Sequence, residues 1–282
     1  MCSIRGRLAR NPLVMSHRLA WRAALVTSLF FVGCGPTPNF EDAVTNSTGQ
    51  AGARSLSIPV PPGESGRADL LIATLGIQAN PTITGPDGWT AVPGFTGFNA
   101  AVCQADGQGI ACQLTVYYKI ADGSETAASF NWGGVRQAAG AVLRFSNVDT
   151  NSPIGNARPA RGSSETPTAP VITTTRDGSR VLRIVVCELD DAGAFLAGSS
   201  ALTDEPPTAR LNVVSFPDAT TDPANGCGPP LSACEGIVRA VGFAVSDARR
   251  ATASPSGPAD WALAYGDQWI TASIEIKPPP GP

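Results

Sequence analysis

Thr115-Val116-Tyr117-Tyr118-Lys119-Ile120 is a run of β-branched and aromatic residues, the side chains that fit a pleated, half-buried surface. Outward from it, the same character returns at Val181-Leu182-Arg183-Ile184-Val185-Val186 and at Thr271-Ala272-Ser273-Ile274-Glu275-Ile276. Gly and Pro clusters separate such runs, and the chain holds 30 Gly and 25 Pro, which suits many turns and few helices. From Arg54 on, the pattern predicts strands at 54–60, 68–77, 111–120, 126–132, 137–148, 169–175, 180–189, 209–216, 235–246 and 268–277. No window past residue 34 sustains an apolar repeat of helical period. The expected fold is all-β: one β-sandwich or jelly-roll domain over 54–278, followed by a Pro/Gly tail at 279–282. A domain of that length can bury a core of its own.

The order strand, long loop, strand, turn, tryptophan, strand occurs twice. In the first half it runs through Asp69–Ala73, Leu114–Tyr118, Ala121-Asp122-Gly123, Trp132 and Gln137–Leu143. In the second it runs through Arg180–Val185, Val238–Phe243, Ser246-Asp247-Ala248, Trp261 and Gln268–Ile274. Two such halves would face each other as two sheets. The shared composition of β-proteins is the competing explanation.

Ahead of the β-rich part, Ala23–Val32 is an apolar run with Arg18 and Arg22 before it and Gly33-Cys34 behind it. It is shorter than the ~20 apolar residues of a spanning helix and has the length of a signal-peptide core. Phe31-Val32-Gly33-Cys34 resembles the lipobox of bacterial lipoproteins. The resemblance implies cleavage before Cys34, lipid on Cys34, and an exported chain anchored to a membrane at the outer-membrane or periplasmic face or the cell surface. Residues 1–33 are then the signal peptide, and Met15-Ser16-His17-Arg18 offers Met15 as an alternative start. Residues 34–53 lack apolar periodicity and read as a flexible tether.

Charge and histidine content narrow the function. Residues 1–33 hold five of the 20 basic residues and no acid, leaving 15 basic against 23 acidic residues beyond them, about −8. That balance argues against nucleic acid as a partner, which needs a cationic face. The one histidine, His17, lies in the leader, so histidine triads and histidine-ligated metal sites are excluded downstream. No cofactor is expected. Cys103 and Cys112 bracket a polar Gly-rich octapeptide, and Cys227 and Cys234 bracket Gly-Pro-Pro-Leu-Ser-Ala. In an exported protein these read as two local disulfides, a four-cysteine metal site being the rival. Cys187, among apolar neighbours, reads as a buried thiol.

From Gly85-Pro86-Asp87-Gly88-Trp89-Thr90 outward the chain resembles a recurrent β-sandwich module of bacterial secreted and surface proteins. The motifs are Ala68-Asp69-Leu70-Leu71, Pro86-Asp87-Gly88-Trp89-Thr90, Tyr117-Tyr118-Lys119, Val148-Asp149 and Pro153-Ile154. Ala169–Thr174 and Trp269–Lys277 extend the match to about 56–277. The resemblance implies a sandwich and supplies no catalytic residues. Phe145-Ser146-Asn147 stands where the module carries Tyr-Arg-Gly, and the cysteine loops are additions.

Glu188-Leu189-Asp190-Asp191 resembles part of the Glu-x-Asp-x-x-Glu strand of a jelly-roll glycosidase class, but Gly193 stands at the final acid. Solvated acids at a strand end are the stronger reading. Asp218, Asp222 and Asn225 lack EF-hand spacing and read as a polar loop. Among the tryptophans, Trp89 is the candidate ligand contact, for a glycan stacked on its ring; packing at a sheet corner is the stronger reading. The expected function is a non-catalytic, lipid-anchored envelope module for adhesion, envelope structure or carbohydrate contact, with a cell-surface glycan or envelope protein as partner. The alternative is a carboxylate-based glycan hydrolase.

Overall fold

The computed structural model describes residues 37–49, 51–95, 98–99, 112–189, 196–197, 208–214, 240–262 and 267–281. They form strands and connections, with no helix among the described residues. The first half supplies β1 (Asn39–Ser47), β2 (Ala53–Pro59), β3 (Leu70–Gln78), β4 (Ile83–Thr84), β5 (Thr90–Ala91), β6 (Phe98–Asn99), β7 (Cys112–Ile120), β8 (Ala127–Arg136) and β9 (Ala138–Ser146). The second supplies β10 (Ile154–Ser164), β11 (Thr168–Ala169), β12 (Arg180–Leu189), β13 (Leu196–Ala197), β14 (Thr208–Val214), β15 (Ala240–Arg249), β16 (Ala259–Ala262) and β17 (Asp267–Ile276).

The first half makes a large antiparallel sheet in the order β1-β9-β3-β7-β5, with β6 also on β7, and a small sheet β2-β8-β4. The second makes a large sheet β10-β17-β12-β15-β14 and a small sheet β11-β16-β13. The two orders map onto each other strand for strand: β1 on β10, β9 on β17, β3 on β12, β7 on β15, and β2-β8-β4 on β11-β16-β13. Each half has a jelly-roll order, first strand beside last, then the third, then the strand two before the last. Trp132 on β8 and Trp261 on β16 take matching places, as the repeated order in the sequence implies.

The large sheets pack face to face. Their core holds Leu70, Ile72, Leu114, Val116, Leu143 and Phe145 from one sheet and Leu182, Ile184, Val186, Phe243, Val245, Ile270 and Ile274 from the other. Each small sheet covers the outer face of its own large sheet. Leu56 and Ile58 of β2 and Phe130 of β8 lie on Leu71, Leu75 and Val142. Ala169, Ala259 and Trp261 lie on Val185, Ala244 and Trp269. The central strands are therefore covered on both faces, so β3 and β9 read as continuous apolar runs rather than alternating ones. Eight residues of β3 and all nine of β9 are buried. The sandwich is thus four layers, two from each half, where the repeat in the sequence suggested two halves facing each other as two sheets.

Three expectations need correction. Residues 34–53 are not a flexible tether throughout, because Asn39–Ser47 is β1, laddered onto β9 from Asn39↔Ser146 to Ser47↔Ala139. The strand is polar because it is an edge, where backbone hydrogen bonds to β9 hold residues with one solvated face. For the same reason Ile154–Ser164, which the predicted strands leave out, is the edge strand β10. Its Pro159 removes a backbone donor, which an edge tolerates. Ser246-Asp247-Ala248, expected as a turn, lies inside β15, paired in order with Arg183, Leu182 and Val181.

Candidate functional site

The strand directions gather one set of connections at one end of the sandwich. β1 starts where β9 ends (Asn39↔Ser146), β3 starts where β7 ends (Leu70↔Ile120), and β12 starts where β15 and β17 end (Arg180↔Arg249 and Arg180↔Ile276). This pole therefore carries the segments 60–69, 121–126, 147–153, 170–179 and 250–258, the start of β1 and the end of β17.

A cleft of about 510 Å³ opens here between 60–68 and 121–125, with Arg144 in its lining. Asp69, next in sequence to the lining residue Ala68, is fully buried and meets two guanidinium groups from the lining, Arg67 Nε at 2.6 Å and Arg144 Nη1 at 3.1 Å. Arg144 projects from β9, and its Nε and Nη2 donate to the Pro61 carbonyl at 3.0 and 2.8 Å. The same arginine thus neutralises the buried acid and ties down the β2–β3 connection. Arg67 reaches on to Glu41 of β1 at 3.4 Å.

Across the cleft, Lys119 Nζ lies 2.7 Å from Glu125 and 3.1 Å from Asp122. Burial alone would raise the Glu125 carboxyl. The Lys119 ammonium and the backbone N–H groups of Asp122 and of Glu125 itself outweigh it and hold the group below the usual carboxylate range; the Gly123 N–H also donates to this carboxylate at 3.1 Å. Asp122 is also held low, chiefly by the Ser124 hydroxyl and backbone N–H, then by Lys119. A glycosidase general acid needs the opposite shift, a carboxyl raised toward neutral pH. These acids are built to stay ionised and to hold cations or hydrogen-bond donors.

The second half solves the same problem with opposite chemistry. Arg144 and Glu275 match in register, each preceding the residue paired with the first residue of the central strand: Phe145 with Leu70, Ile276 with Arg180. Where Arg144 donates to a loop carbonyl, Glu275 accepts from the loop. Its oxygens take the backbone N–H groups of Asn156, Thr175 and Arg176 at 3.1, 2.6 and 3.3 Å and the Ser179 hydroxyl at 2.8 Å. Gly155 leaves the room, since a Cβ there would sit 2.1 Å from Glu275 Oε2.

A third cluster fastens the N-terminal segment. Buried Asp247 pairs with Arg180 and Arg210. Arg180 Nε donates to the Pro38 carbonyl at 2.9 Å. The Arg210 guanidinium lies 4.5 Å from the Phe40 ring centroid, and that ring packs edge-on to Phe145. The chain is fixed to both halves from Pro38 onward. Nearby, Arg183 is fully buried with Nη2 on the carbonyls of Ser256 and Gly257, both at 3.1 Å. Burial, then neighbouring Arg250, push its guanidinium down to about 10.

Trp89 follows a turn in which its N–H bonds to the Pro86 carbonyl at 3.2 Å and Gly88 takes φ 76. The ring is half-buried and packs on the core between the first large and small sheets. Cys112 is buried at the start of β7. Cys34, Cys103, Cys227 and Cys234 lie outside the described residues, as do Asp190, Asp191, Asp218, Asp222 and Asn225. Glu188 falls within β12. No group of three or more metal-ligating side chains occurs among the described residues.

Sequence reasoning missed Asp69, Arg144, Asp247 and Glu275 as organising residues. The signal was a charge set inside an apolar strand, as in Ala141-Val142-Leu143-Arg144-Phe145 and Ile274-Glu275-Ile276. No protein-family model, curated protein or solved structure matches the chain, so its own geometry carries the functional reading.

Proposed function

We propose that this chain is a lipid-anchored, exported binding or structural module of the cell envelope, held at Cys34 and without catalytic chemistry. The observation that carries the reading is the junction. A basic and apolar leader ends at Gly33-Cys34, and four residues later Pro38 is already fastened into the sandwich. A cytoplasmic domain has no use for such a leader, and a spanning segment would need more apolar length. The ion-paired acids of the cleft favour binding over proton donation. Adhesion, envelope structure and carbohydrate contact at Trp89 are the forms the binding would take.

Lipobox processing needs the thiol. Cys34→Ser should therefore move the protein from the membrane fraction to the soluble exported fraction, or leave an uncleaved precursor. A processed Cys34→Ser product that stays in the membrane fraction would overturn the reading.

A further inference from the structure

We infer that the pole carrying the start of β1 rests directly on the bilayer surface, held there by the shortness of the anchor, so that the opposite pole is the one presented outward. The inference rests on lipidation at Cys34. Only Gly35, Pro36 and Thr37 separate that residue from Pro38, which is buried and accepts a hydrogen bond from Arg180. Four residue steps span at most ~14 Å of extended chain. The domain is far longer than this leash, since its ten-residue strands run ~33 Å. A leash that short holds the attached pole at the surface, and a domain that stands on that pole keeps the far pole away from it.

The surface of this pole fits contact with lipid headgroups through geometry, not charge. Its exposed residues include Glu64, Ser65 and Gly66; Asp122, Gly123 and Ser124; Asp177; and Ala251, Thr252 and Ala253. No exposed lysine or arginine stands among these. The basic side chains of this pole are engaged by its own groups: Arg67 and Arg176 are 31% and 34% exposed and pair with Glu41, Glu64 and Asp69 and with Asp149, and Lys277 donates to Ser152. Little of the ~1 kcal/mol that each basic residue supplies on an anionic surface is left for the contact, and the lipid must do the holding. The cleft formed by 60–68 and 121–125 belongs to this pole and comes to lie beside the headgroups.

Carboxyl footprinting tests the inference, because exposed acids mark both poles. Glu64, Asp122 and Asp177 lie at the anchored pole, and Glu165, in the β10–β11 connection, lies at the other. The acylated full-length protein on phosphatidylcholine vesicles is compared with the soluble Cys34→Ser chain. Labelling of Glu64, Asp122 and Asp177 should fall several-fold on vesicles, while that of Glu165 stays unchanged. A flexible Gly/Ser insert of about 20 residues after Gly35 has a root-mean-square reach of ~25 Å, and it should restore labelling at the anchored pole with the protein still vesicle-bound. An acylated, vesicle-bound chain labelled equally at both poles overturns the orientation alone. Continued shielding with the long insert overturns the role of the short anchor. A chain that carries no acyl group and does not join vesicles overturns the lipoprotein reading and this inference with it.

Discussion

Gly76→Ala sets two effects of opposite sign against each other. Gly76 lies in the middle of β3, where glycine costs backbone entropy, so alanine there should stabilise by ~0.5–1 kcal/mol if nothing else intervenes. The structure says something does. An added Cβ would stand 2.8 and 3.0 Å from the two Val186 methyls and 3.3 Å from a Val241 methyl, against ~3.5–4.0 Å for ordinary carbon contacts. Val186 and Val241 belong to the opposite large sheet, so the clash falls on the seam between the two jelly rolls. Overpacking a close-packed core costs ~1–3 kcal/mol, which exceeds the entropic gain. The net expectation is a loss of ~0.5–2 kcal/mol. The assay is urea unfolding of the Cys34→Ser chain, followed by tryptophan fluorescence. Val186→Ala opens space at the same point, so the double variant should be more stable than the sum of the singles by ~0.5 kcal/mol or more. A Gly76→Ala variant more stable than its parent, or strict additivity with Val186→Ala, would refute face-to-face packing at this seam.

Asp247→Asn should cost ~3–5 kcal/mol, because it leaves Arg180 and Arg210 without their buried counter-charge; urea unfolding reads it, and a loss under ~1 kcal/mol would show the cluster to be solvated. Stability should also fall on acidification. Burial alone would raise the Asp149 carboxyl, but Arg176 at 2.6 Å and the backbone N–H groups of Ser152 and Asn151 hold it low. The unfolded chain then takes up the proton first, so stability is full above about pH 4 and declines below it. Asp149→Asn should flatten that decline, and a variant with the parent's acid profile would assign the loss elsewhere. Trp89→Ala should lower the unfolding free energy by ~2 kcal/mol or more, since the ring packs on the core. If it melts like its parent and loses glycan binding, Trp89 is a contact residue instead.

The strands that build the two large sheets were legible because burial leaves a trace in composition. β3, β7, β9, β12 and β17 are apolar or β-branched runs, and the repeated order around Trp132 and Trp261 announced the duplication. β1 and β10 left no such trace, since an edge strand is held by its backbone and keeps one face in water. The pole chemistry was hidden for a different reason. Asp69 is 75 residues from Arg144, and Asp247 is 67 residues from Arg180 and 37 from Arg210. Only the fold brings these partners together. Asp247 was misread as a turn residue because aspartate inside a strand makes sense only once its two arginines are in place. Gly76 and Gly155 were equally silent, each being explained by a side chain more than a hundred residues away.

The central claim is that a folded envelope module begins just past a lipidated cysteine. The most direct test is the mass of the N-terminal peptide of the protein extracted from membranes. The account predicts a peptide that starts at Cys34 and carries acyl chains. An unmodified Cys34, or a peptide that still contains the residues before it, would contradict the account.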